Sequence, residues 1–121
     1  MSAIKLLRVL KSDPDLVNSV RSRISLAPAD QGQETPFITY EFIADDPIKD
    51  LKGVATLERQ EWDVVAESDK YSSAELVKGH IKRVLNAERT EFNASFQVSE
   101  YDYDQEADIH RHTLTFLITY Q

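Results

Sequence analysis

The chain changes its hydrophobic period abruptly at Ser72, and that change limits its fold more than any other feature. From Val54 to Glu67 the side chains alternate: Trp62, Val64 and Ala66 fall on one side, Arg59, Glu61 and Asp63 on the other. That is the two-residue period of a half-buried strand. From Ser72 onward Ala74, Val77, Ile81, Val84 and Leu85 form one stripe, which predicts a helix over about 72–87. Ser72-Ser73-Ala74-Glu75 reads as a capping box, the Ser72 hydroxyl on the backbone and Glu75 reaching back. Gly79 inside this helix costs about 1 kcal/mol relative to Ala; a close approach of the helix to a sheet would account for it. The first half of the strand, Glu58 to Glu61, is polar on both faces and reads as a solvated edge beyond the core.

The remaining segments extend the pattern. Ala3, Leu6, Leu7 and Leu10 at i, i+3, i+4 and i+7 make a short amphipathic helix. Asp13-Pro14 opens a second helical piece through Leu16, Val17 and Val20, with Asp13 as N-cap and Pro14 at the first helical position. Ala27 to Pro36 has no period and holds Pro28, Gly32 and Pro36, so it reads as an exposed loop. Phe37 to Ala44 alternates, with Ile38, Tyr40, Phe42 and Ala44 inward, and ends at Asp45-Asp46-Pro47, since proline cannot donate to a ladder. Phe92, Ala94, Phe96 and Val98, then Leu114, Phe116, Ile118 and Tyr120, predict a hairpin. Its connection, Ser99 to Asp108, lacks Gly and Pro, which argues against a tight two-residue turn and for strands that run on as a long ribbon. The expected fold is α+β: an antiparallel sheet of about four strands with helices packed on one face, in the order α-(α)-β-β-α-β-β. Its 121 residues are expected to form a single domain, 1–121.

Charge and composition narrow the function. Lys+Arg 14 against Asp+Glu 21 gives a net charge of −7, which disfavours a phosphate-binding face and hence specific nucleic-acid binding. No apolar run reaches the ~20 residues of a membrane span. Lys5, Arg8 and Lys11 interrupt the apolar N-terminus, against a signal peptide. The chain has no Cys, which removes thiol nucleophiles and cysteine metal sites. Glycine occurs three times, at Gly32, Gly53 and Gly79, too far apart for a phosphate-cradling loop. No Ser sits in a nucleophile elbow, and no catalytic residue or cofactor is assigned.

Two constellations remain. His110 and His112 share a strand face and could approach one metal, with His80 or Asp108 as third ligand, but the usual Glu or Cys companions are missing and no metal is assigned. Asp102, Asp104, Glu106 and Asp108 offer oxygens at spacing two, yet an EF-hand loop from Asp102 needs Gly and Glu where Ala107 and Thr113 stand. The same segment places Tyr101 and Tyr103 on one strand face and Asp102 and Asp104 on the other, a composition suited to a protein interface. The candidate contact residues are Tyr101, Asp102, Tyr103, Asp104 and Glu106, with Arg59 and Glu61 on the polar half of the earlier strand.

A resemblance ties these pieces together. Arg23-Ile24, the link Ala27-Pro28-Ala29-Asp30-Gln31-Gly32 and Pro36-Phe37-Ile38-Thr39-Tyr40-Glu41 resemble the opening of a family of small phage tail-completion and head–tail joining proteins. Gln60-Glu61-Trp62-Asp63-Val64-Val65-Ala66 and the helix from Tyr71-Ser72-Ser73-Ala74-Glu75 resemble it too. The resemblance covers residues 3 to 87, and the C-terminal hairpin more loosely. It implies a non-enzymatic virion assembly protein at the head-proximal end of the tail, a terminator or joining ring of identical copies. Its implied neighbours are the tail tube protein and a head-completion or connector protein, with assembly in the host cytoplasm. The alternative is a small acidic regulatory or inhibitor module that binds a basic protein through residues 99–108; a metal-dependent enzyme centred on His110 and His112 is a third.

Overall fold

The computed structural model describes residues 3–53 and 55–120; Val54, the expected start of the second strand, lies outside them. The elements are α1 (Ala3–Lys11), α2 (Pro14–Val20), β1 (Ile24–Leu26), β2 (Phe37–Asp45), β3 (Ile48–Lys49), β4 (Ala55–Ser68), α3 (Tyr71–Ala87), β5 (Asn93–Asp104) and β6 (Ile109–Tyr120). The strands lie side by side in the order β1-β2-β4-β6-β5, with β3 on β4. The fold is α+β, as expected, but its sheet is mixed and has six strands, not four antiparallel ones. The two additions have three and two residues, too short to display an alternation.

The parallel β1–β2 pair has its own local cause. Arg23 donates from its guanidinium to the carbonyls of Pro36 (3.0 Å) and Thr35 (3.1 Å), and its carbonyl accepts from Ile38 N–H at 2.9 Å. The two segments that carried the family resemblance, Arg23-Ile24 and Pro36-Phe37, are therefore held together by the side chain and the backbone carbonyl of one residue, Arg23. Ile24 then stands opposite Ile38 and Leu26 opposite Tyr40.

The helices cover one face of the sheet. Leu6, Leu10, Leu16 and Val20 from α1 and α2 meet Val77, Ile81 and Leu85 from α3. Beneath them lie Ile38, Val64, Ala66, Leu114, Phe116 and Ile118. Each such side chain removed from water contributes roughly 1.5–3 kcal/mol. All five residues of the α3 stripe are buried. Asp13 caps α2, accepting from Leu16 N–H at 3.0 Å, and Arg83 grips the same carboxylate at 2.7 Å. The Arg83 hydrogen bond, then the Leu16 one, hold the Asp13 carboxyl at about 2.

Four local expectations are corrected. The polar half of β4 is not an edge: β2 and β3 pair with it on one side and β6 on the other. Gln60 is buried there because its amide is satisfied, accepting from Trp62 Nε1 (2.9 Å) and donating to Asp45 (3.0 Å). The capping box does not form. Lys70 is the N-cap of α3 without a side-chain bond, and Glu75 is drawn instead to the Tyr71 hydroxyl at 3.0 Å and to His112. No close approach explains Gly79, since a Cβ there would meet nothing within 4 Å. Finally, Ala44 and Val98 do not face the core. An extra residue in each strand, Ile43 in β2 and Gln97 in β5, makes a bulge and moves everything after it to the opposite face.

Candidate assembly interface

The Gln97 bulge creates the feature that sets this molecule apart. Before it Ala94 and Phe96 lie on the helix side, opposite Ile118 and Phe116. After it Val98 turns outward and is 47% exposed, while Ser99, Tyr101 and Tyr103 come to the helix side, opposite Leu114, His112 and His110. The expected ribbon is present: β5 and β6 stay paired out to Asp104 and Ile109. The turn between them is longer than two residues. Asp104 accepts from Glu106 N–H (3.0 Å) and Ala107 N–H (3.2 Å), and Asp108 closes the turn at φ 54, a left-handed conformation that Asp tolerates better than most residues.

An aromatic cluster fastens this ribbon to α3. Tyr71, the first residue of the helix, meets Tyr101 edge-on at 5.4 Å and approaches His110 and His112 at 5.8 and 6.0 Å. Tyr103 lies over His110 at 4.7 Å. The Tyr101 hydroxyl is 2.6 Å from His110 Nδ1, and Tyr103 donates to Asp108 at 2.7 Å. That bond to Asp108 raises the Tyr103 phenol above its usual pKa. Both tyrosines still present surface, 47% for Tyr101 and 40% for Tyr103.

His112 is buried at 2% exposure. Its Nε2 stands 3.0 Å from the Glu75 carboxylate yet has no hydrogen-bond partner among the described residues. The contact is therefore close but is not a directed hydrogen bond. Burial pushes the His112 pKa down, against the pull of Glu75. His110 and His112 do share a face, but His80 is elsewhere, 3.0 Å from Arg83. Among the described residues no group of three His, Asp or Glu is placed to hold a metal.

The other candidate residues divide. Asp102 lies on the helix-free face, where Arg111 bridges it and Glu67 at 2.8 Å each. Asp104 and Asp108 are engaged in the turn, so most carboxylates of the 99–108 segment already have partners within the chain, and Glu106 is exposed. Arg59 and Glu61 sit at the far end of the sheet, opposite Thr119 and Leu117, with Arg59 paired to Asp46 at 2.8 Å. They do not join the ribbon cluster. Sequence reading missed Tyr71, His110 and His112 as the anchors of the tyrosines. No signal in the sequence marked the contact, because the change of inward parity from Phe96 to Tyr101 shows only once β5 is paired with β6.

Comparison with known proteins decides the family. The model of the family described as "Tail completion protein gp17" matches residues 4–121. The chain belongs to that family. Its work is therefore structural, in phage tail assembly. No curated protein matches the chain. The fold also resembles a chain of the solved "Virion of native gene transfer agent (GTA) particle", with a TM-score of 0.68 and 16% identity over 93% of this chain and 88% of that one. At that identity the likeness is one of fold.

Proposed function

We propose that this protein completes the tail at its head-proximal end, as a terminator or head–tail joining ring built from copies of itself. The observation that carries the reading is the β5 edge. β5 is 12 residues long and pairs with β6 alone among the described strands, so its outer side offers a ladder to a neighbouring subunit. On the same strand Tyr101 and Tyr103 supply rigid contact area at low entropic cost. The family match supports the setting, and the reading is non-catalytic. The neighbours are the tail tube protein and a head-completion or connector protein, in the virion after assembly in the host cytoplasm. An acidic chain suits a conduit through which DNA passes without sticking. Substituting lumen carboxylates with lysine should then slow DNA ejection, and normal ejection would count against the conduit.

Electron microscopy of a lysate from the source phage or prophage lacking this gene tests the reading. Filled heads beside detached or overlong tails are expected. Overlong tails identify a terminator, and detached tails of normal length a joiner. Intact particles of normal appearance would sink the proposal.

A further inference from the structure

Helix α1 presents two stripes. Leu6, Val9 and Leu10 are buried in the core. On the outer side Ile4, Leu7, Arg8 and Lys11 recur at i, i+3, i+4 and i+7 and, with Ser12, line a shallow groove of about 450 Å³. Its floor is apolar, with Ile4 66% exposed, and its rim is cationic. Residues 1–12 hold Lys5, Arg8 and Lys11 and no acid, within a chain of net charge −7. Lys5 and Arg8 share one carboxylate, Glu91, at 3.9 and 3.4 Å.

The ribbon end is the complement of this groove. Residues 99–108 carry Glu100, Asp102, Asp104, Glu106 and Asp108 and no Lys or Arg, beside the two half-exposed tyrosine rings. Within one molecule the two surfaces stand apart. The ribbon is held at Tyr71, the first residue of α3, whereas Glu91, which holds α1, follows the last turn. A helix of 17 residues puts ~25 Å between them.

We infer that the α1 groove receives the β5–β6 ribbon end of a second copy of this chain. The inference rests on the ring reading above and names the two surfaces that would meet. A tyrosine ring covers Ile4 and Leu7, the cations of the rim lie near its face and near Glu100 and Glu106, and the opposite charges set the register. Because the two patches differ and lie at opposite ends, the contact repeats from copy to copy, the arrangement that generates a ring.

The absence of cysteine gives a direct test. Lys11→Cys with Glu106→Cys places the only two thiols, both on exposed side chains, one on each surface. In tails purified from phage carrying this variant, mild oxidation should give a ladder of dimers and higher multimers of this chain on a non-reducing gel. Lys11→Cys with Leu76→Cys should give none. Separately, Arg8→Glu with Lys11→Glu should lower incorporation into tails about tenfold, and adding Glu100→Lys with Glu106→Lys should restore it. Wild-type protein present in tails, with no ladder and no effect of charge reversal, overturns the inference and leaves the ring reading standing. Cross-linking to a different tail protein overturns it as well. Wild-type protein missing from tails overturns the ring reading itself.

Discussion

The two halves of the β5–β6 hairpin follow the same alternation and bury different chemistry. Below the Gln97 bulge, Phe96, Phe116 and Ile118 sit under α3 in a core of aliphatic and aromatic side chains. Above it Ser99 and Leu114 are followed inward by Tyr101, Tyr103, His110 and His112, these last four each with a polar atom that requires a partner. The lower half is held by area removed from water; the upper half is held by ring stacking and a few hydrogen bonds, with much of each tyrosine still at the surface. Stability is therefore expected to reside below the bulge and contact with other molecules above it.

The largest effect that would sharpen this contrast is Ile118→Ala, which empties a fully buried site below the bulge and should cost about 2–5 kcal/mol, read by chemical denaturation. A loss under ~1 kcal/mol would show that the covered half does not carry the fold. Gly79→Ala should act in the other direction, stabilising by up to about 1 kcal/mol, since the site is open and helical. The acid response isolates one residue of the upper half. The His112 pKa is lowered from 6.5 by burial, so the folded protein keeps the ring neutral where the unfolded chain protonates it. The resulting stability is fully present above pH 6.5 and declines as the pH falls below it. Denaturation of wild type and His112→Leu between pH 7 and 5 should show the wild type losing ground to the variant; parallel curves would break the assignment. Smallest in stability is Tyr101→Ala with Tyr103→Ala. It should leave the monomer folded, with a melting temperature within a few degrees of wild type, while reducing tail assembly. Normal assembly would rule this surface out.

Much of the fold was legible because its long elements obey one period each. The α3 stripe, the Asp13 cap with Pro14, and the inward sets of β4 and β6 all appear where the alternation puts them. What stayed hidden was set by contacts distant in sequence. The parallel β1 depends on Arg23 reaching Thr35 and Pro36, and three residues carry no period of their own. The capping box failed because Glu75 has better partners in Tyr71 and in His112, which lies 37 positions further along the sequence. Both bulges escaped because a run such as Phe96-Gln97-Val98-Ser99 reads as regular alternation until its partner strand is known. For the candidate site, sequence separated the tyrosine face from the aspartate face, but it could not bring His110, His112 and Tyr71 to the rings.

The Gln97 bulge also has a genetic consequence. Substitution at this position should be tolerated, because the residue has no cross-strand partner and lies at the surface. Deleting it would let Val98 follow Phe96 in regular pairing opposite Thr115, which keeps Tyr101 and Tyr103 opposite His112 and His110 and removes only the extra local twist of the bulge. The faces of the later residues are thus set by their register against β6 and not by the letter at position 97, whereas a shift of that register by one would turn Tyr101 and Tyr103 to the helix-free face.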